Sequence, residues 1–98
     1  MRERIIERYL VKRVKEIGGV CKKNPPTYES GWPDRVVYIG GFTFFVELKR
    51  PGETPSKLQA IVLQDLRRLG FDARHIDSKE GIDAFIEYVK KIISINSI

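Results

Sequence analysis

Two adjacent glycines, Gly40-Gly41, separate two runs rich in Val, Ile, Tyr and Phe, Arg35–Ile39 and Phe42–Lys49, and this arrangement leaves the chain few folds. A two-residue turn with positive φ at both positions joins antiparallel strands without splaying them, and glycine adopts that backbone without strain. A hairpin centred there pairs residues whose numbers sum to 81, so Asp34 faces Glu47. Strand alternation then puts Phe44, Val46 and Leu48 on one face and Phe45, Glu47 and Lys49 on the other. The apolar trio is the expected core side.

The rest of the chain supplies elements to cover such a hairpin. Residues 3–17 have the period of an amphipathic helix, with Ile6, Leu10, Val14 and Ile17 as its apolar stripe, closed by Gly18-Gly19. A short strand is expected at Val20–Lys23. Asn24–Pro33, with three prolines and a glycine, reads as a loop whose large apolar residues are Tyr28 and Trp32. After the turn Arg50-Pro51-Gly52-Glu53, Thr54-Pro55 suggests an N-cap and first helical residue, for a helix running to about Leu69. Gly70 ends it, Phe71–Ile76 reads as a strand, and Asp77 with Glu80 suggests a capping box for a last helix to about Ile93. The order α-β-β-β-α-β-α suits one mixed sheet flanked by helices, its fourth strand reached by a right-handed crossover.

With 98 residues the chain makes one domain, residues 1–98, with one core. No apolar run approaches the roughly 18–20 residues of a membrane span, and the N-terminus has no apolar signal region, so a cytoplasmic protein without membrane partners is expected. One cysteine, Cys21, and one histidine, His75, exclude an internal disulfide and a zinc site of the usual ligand count. His75 is placed on a strand away from the acidic residues, where packing or solvent exposure is its simplest role. The formal charge of +5 favours an anionic partner. On the first helix Arg4, Arg8, Lys12 and Lys15 share a narrow sector, either a phosphate-contacting rail or a solvated charged face. The apolar tail Phe85, Ile86, Val89, Ile92, Ile93, Ile95 and Ile98 serves either the protein's own core or a partner subunit.

Directly opposed carboxylates repel across roughly 4.5–5.5 Å between Cβ atoms, so Asp34 facing Glu47 calls for a cation between them. Only oxygen donors are at hand, and Mg²⁺ accepts a pair of carboxylates, a backbone carbonyl, waters and substrate phosphate oxygens. Lys49, roughly 6.5–7 Å from Glu47 along the strand, reaches the same phosphate or water. A surface ion pair on an edge strand is the competing reading of Glu47 and Lys49. Trp32 either stacks on a base or anchors its loop, and Arg35 either touches phosphate or balances acid charge.

Pro33-Asp34, a spacer and then Glu47-x-Lys49 at the end of an apolar strand resemble the signature of the PD-(D/E)XK nuclease superfamily. The details are similar to its VRR-NUC branch: the helix Ile6-Glu7 to Lys15, Gly31-x-Pro33-Asp34-Arg35, Phe45–Lys49, Pro55-Ser56 with Gln59, and Gly70 followed by Asp77-Ser78. The resemblance spans nearly the whole chain and implies a restriction-endonuclease-like α/β core. It further implies Asp34, Glu47 and the Leu48 carbonyl as ligands of Mg²⁺ or Mn²⁺, with Lys49 orienting or activating the attacking water. Glu7 is the implied helix acid, acting through water, and lies at the border of the buried stripe; Glu3, one turn earlier, is its rival. Gln59 is the implied supporting glutamine. The expected activity is metal-dependent cleavage of DNA by phosphate geometry, at Holliday junctions or other branches, by a homodimer whose two-fold axis matches a four-way junction. A flap or duplex nuclease, a non-catalytic nucleic-acid-binding module and a small partner-binding domain are the alternatives.

Overall fold

The computed structural model describes residues 2–24 and 31–96; Tyr28 of the first loop and Ile98 of the tail lie outside them. The elements are α1 (Glu3–Glu16), β1 (Val20–Lys23), β2 (Arg35–Ile39), β3 (Phe42–Leu48), α2 (Lys57–Arg68), β4 (Asp72–Ile76) and α3 (Lys79–Asn96). The strands form one sheet in the order β1-β2-β3-β4. The first two pairings are antiparallel, and β3 pairs with β4 in parallel across the connection made by α2. The expected α-β-β-β-α-β-α order and mixed sheet are both present.

Gly40 and Gly41 turn the hairpin with φ of 58° and 83°, the backbone that only glycine enters readily. The turn fixes the register: Arg35 faces Val46 and Ile39 faces Phe42. One residue beyond the ladder, Asp34 stands opposite Glu47, as the sum rule requires.

Both faces of the sheet are covered. On one, Ile6, Leu10 and Val14 of α1 and Ile82, Phe85, Ile86 and Val89 of α3 pack with Val37, Phe44, Val46 and Leu48. Each such aliphatic or aromatic side chain contributes roughly 1.5–3 kcal/mol when withdrawn from water, so this layer supplies most of the driving force for folding. On the other face α2 sets Leu63 and Leu66 against Ala73, with Phe45 and Val62 packed beside them. Of the C-terminal apolar residues, Phe85, Ile86 and Val89 are buried in the protein's own core, Ile92 and Ile93 are half-buried, and Ile95 is 69% exposed. Within the first layer, α1 and α3 are tied laterally by the Tyr9 hydroxyl and the Arg13 guanidinium, both donating to Asp83 Oδ1.

Two helix starts differ from the sequence expectation. Helix α2 is capped by Ser56, not Thr54: Ser56 Oγ accepts from Gln59 N at 3.2 Å and Gln59 Oε1 accepts from Ser56 N at 2.8 Å. The reciprocal pair satisfies two otherwise orphaned amides; three residues after Thr54 stands Lys57, which has no acceptor to complete such a box. At α3 the cap is Ser78, whose Oγ accepts from Gly81 N at 2.9 Å. Asp77 is diverted to a distant partner, accepting from Gly52 N at 3.0 Å, and so closes the turn after β3 against the end of β4.

Candidate active site

The chain approaches β2 under tight local control. Asn24 N donates to the Asp34 carbonyl at 2.8 Å and Asn24 Nδ2 to the Pro33 carbonyl at 3.0 Å, and Pro33 is fully buried. Gly31, with φ of 91°, lies so close to α2 that a Cβ there would come 2.9 Å from Leu58 Cγ and 3.2 Å from its carbonyl oxygen. Gly31→Ala therefore combines a strained backbone with a collision, and roughly 1–3 kcal/mol of stability should be lost. A urea titration reads this directly; an unchanged midpoint would mean that the loop is not docked on α2.

Held in this way, Asp34 and Glu47 exchange bonds across the strand pair. Asp34 N donates to Glu47 Oε1 at 3.1 Å, and Leu48 N donates to Asp34 Oδ2 at 3.0 Å. Each carboxylate thus has one oxygen fixed by a backbone amide. Glu47 is only 2% exposed, an unusual position for an acid. Its remaining oxygen, Oε2, lies 3.4 Å from Lys49 Nζ, on a lysine side chain that is itself only 14% exposed. Burial, and next the neighbouring Asp34, push the Glu47 carboxyl up to about 7 against the pull of Lys49.

The helix acids are distributed differently from the expectation that Glu7 turns inward. Glu7 Oε1 lies 3.2 Å from a terminal guanidinium nitrogen of Arg35. Glu3 is the α1 carboxylate whose titration registers the pair: burial and then Asp34 raise it, while Lys49 lowers it. Arg35 also acts on the Cys21 thiol, which burial raises and Arg35 lowers; Arg35 Nε is buried without a hydrogen-bond partner among the described residues. Arg4, Glu7, Arg8, Val11, Lys12 and Arg35 line an open depression of about 530 Å³, so three of the four rail cations and Arg35 border one concavity. Lys15 is exposed further along α1. Trp32 is 37% exposed, two residues before Asp34.

Gln59 has its Oε1 committed to the α2 capping box, 2.8 Å from Ser56 N, which gives it a structural duty that the sequence reading did not assign. His75 is placed differently from the expectation. It does not lie away from the acidic cluster: the parallel register sets it beside Glu47, on the same face of the sheet and exposed. The pairing across a crossover depends on how α2 docks, and no local pattern announces it.

Asp34 and Glu47 suit a hard divalent ion by their chemistry: two carboxylates, one of them buried and hard to ionise without a cation beside it. No group of three His, Cys, Asp or Glu side chains gathers among the described residues. The other donors to such an ion would have to be the Leu48 carbonyl, waters and substrate oxygens, as Mg²⁺ commonly accepts.

The whole arrangement is similar to a solved VRR_NUC domain, with a TM-score of 0.82 and 28% identity, covering 87% of this chain and 94% of that one. In sequence the chain is 38% identical over 81 residues to "Putative nuclease p44" of Acyrthosiphon pisum secondary endosymbiont phage 1, covering 82% of this chain and 87% of that protein. No protein-family profile matches the sequence. The chain belongs to the VRR-NUC family of nuclease domains. No helix among the described residues is long and apolar enough to cross a membrane.

Proposed function

We propose that the protein is a Mg²⁺- or Mn²⁺-dependent endonuclease that hydrolyses DNA phosphodiester bonds at branch points, acting as a homodimer on Holliday junctions or related structures. The observation that carries the reading is the buried Glu47 locked to Asp34 with Lys49 at 3.4 Å. A fold gains nothing by burying an acid beside another acid, since an apolar pair would pack there at lower cost. The cluster is understandable if a cation and a phosphate complete it.

When bound between Asp34, Glu47 and the Leu48 carbonyl, the ion would supply Lewis-acid polarisation of the phosphate and lower the pKa of water. The chain's own groups do the rest. The Lys49 ammonium, held by Glu47, points a fixed positive charge at the phosphoryl oxygens, where negative charge grows as the bond breaks. Glu3 shares the field of Asp34 and Lys49, and with Glu7 it is one of the two α1 carboxylates on offer to order the attacking water. Glu7 keeps Arg35 in place, and Gln59 supports the site by fixing the start of α2. Arg4, Arg8, Lys12, Lys15 and Arg35 bind the strand through phosphates without reading bases, so recognition follows backbone shape. The two-fold symmetry of a dimer suits a substrate with two equivalent strands to cut.

Incubation with labelled four-way junctions, flaps, duplex and single strands, with Mg²⁺, with Mn²⁺ and then with chelator, tests the proposal. Cleavage of branched substrates that chelator abolishes is the expected result. Binding without hydrolysis under every metal condition would leave a non-catalytic module, and preference for unbranched duplex would overturn the junction assignment. Asp34→Asn should lose the response to Mn²⁺; light scattering should give twice the 11.3 kDa chain mass.

A further inference from the structure

Strand β4 carries one polar side chain that neither the fold nor the chemistry above employs. Its other polar residues on this strand are committed: Arg74 donates to Asp72 through two hydrogen bonds of 2.9 and 2.7 Å and lies over the rings of Phe85 and Tyr88. The ring of His75 is exposed and has no hydrogen-bond or ion-pair partner among the described residues. Two registers fix where it stands. Arg35 pairs with Val46, which sets Asp34 opposite Glu47, and Glu47 pairs with His75. Cross-strand partners point to the same side of a sheet, so Asp34, Glu47 and His75 form a row across three neighbouring strands, on the face that Lys49 shares. With strands roughly 4.7–4.9 Å apart, His75 starts one spacing beyond Glu47 and two beyond Asp34. No group of three His, Cys, Asp or Glu side chains able to hold an ion gathers among the described residues, so His75 stands beside the acidic pair without joining it.

The backbone adds a second donor at the same place. The Ile76 carbonyl accepts from Lys49 N at 3.0 Å, so Ile76 faces the ladder and the amide of His75, one residue earlier, turns to the open edge of the sheet. Arg67 Nε covers the outward carbonyl of Ala73 at 2.7 Å, and no such cover reaches the His75 amide among the described residues. We propose that His75 is a substrate-binding residue whose ring N–H donates to the DNA phosphate next to the scissile one. This contact deepens the nuclease reading above and rests on it. An ion between Asp34 and Glu47 draws one phosphate to the start of β2 and the end of β3; a strand continuing across the sheet toward β4 brings its next phosphate to His75. Phosphate oxygens only accept, which suits a rim that offers N–H groups, and an imidazole keeps at least one N–H in either charge state.

His75 is the only histidine, so its ring protons are recognised in a proton spectrum without assignment. The protein is titrated in chelator with a 12-base-pair duplex carrying a single-stranded branch, and the ring signals should shift in step with binding. His75→Ala should weaken affinity about tenfold, and His75→Gln, which restores an N–H donor of similar reach, should recover most of it. The position is exposed, and thermal melts confirm that both variants are folded. Phosphates neutralised one at a time as methylphosphonates should reveal one position where the parent loses affinity and His75→Ala does not. Binding with unmoved ring signals, parent-like affinity of His75→Ala, equal weakening by Ala and Gln, or no such phosphate would overturn the proposal. So would a weaker Mn²⁺ titration of His75→Ala without DNA, which would make His75 a metal ligand. None of these readings needs hydrolysis, so absence of cleavage in the metal-dependent assay, with the ring shift present, counts against the nuclease reading alone.

Discussion

Lys49→Ala should reduce cleavage of every substrate by at least about 10²–10³-fold while leaving DNA affinity within a few-fold of the parent. The asymmetry follows from where the lysine sits. Its Nζ is 3.4 Å from Glu47 Oε2 and its side chain is 14% exposed, so it faces the acidic pair and is not part of the outer basic rail. On the proposed function, binding is carried by the several exposed cations of α1 and by Arg35, whose phosphate contacts would be individually weak and collectively additive. In the proposed mechanism Lys49 meets charge that develops only as the phosphodiester breaks, so its removal should act on the transition state and spare the ground state. Single-turnover cleavage and a filter-binding titration in chelator, run on the same preparation, separate the two quantities. Full activity in the variant would remove Lys49 from the mechanism.

The second large effect is on stability. Glu47→Gln should make the ion-free protein more stable above pH 7 while eliminating cleavage. Glu47 ionises near 4.5 in an unfolded chain but only at about 7 when folded, because burial and Asp34 disfavour its charge. Between those values the folded state binds more protons than the unfolded state. Stability therefore is highest below about pH 4.5 from this group, declines as pH rises through 7, and stays lower above it. The interval corresponds to an effect on the order of 3 kcal/mol. Glutamine keeps the oxygen that accepts from Asp34 N, carries no charge and should abolish the decline. Urea titrations of both proteins at pH 5 and pH 8 measure it: the curves should separate at pH 8, with the variant the more stable. Equal stabilities at pH 8 would contradict the assignment of Glu47 as a buried, strained carboxylate. Added Mn²⁺ should stabilise the parent at pH 8 and not the variant.

These expectations rest on a register that the sequence makes legible. Gly40-Gly41 admits few hairpin turns, and once the turn is placed every cross-strand partner is determined, Asp34 and Glu47 included. The stripe Ile6, Leu10, Val14 is equally legible, because a 3.6-residue period over four turns has no strand alternative. The features that escaped are long-range. Asp77 looks like a local cap, yet Gly52, twenty-five residues earlier, takes its carboxylate and Ser78 takes over the helix. Glu7 has the right wheel position to face inward, but Arg35, delivered by β2, captures it. His75 comes beside Glu47 only because the docking of α2 fixes the offset between β3 and β4. Local chemistry predicts partners within a turn or a hairpin; competition among groups far apart in sequence is decided by the packed core.

We expect Asp34 and Glu47 to hold one divalent ion where the substrate phosphate is attacked. Crystals soaked in Mn²⁺ and measured for anomalous scattering test it most directly. A strong peak is expected within coordination distance of both carboxylates, with Lys49 Nζ nearby and outside the coordination sphere. A difference map with Mn²⁺ bound elsewhere, and the bonds between Asp34, Glu47 and Leu48 intact, would contradict it.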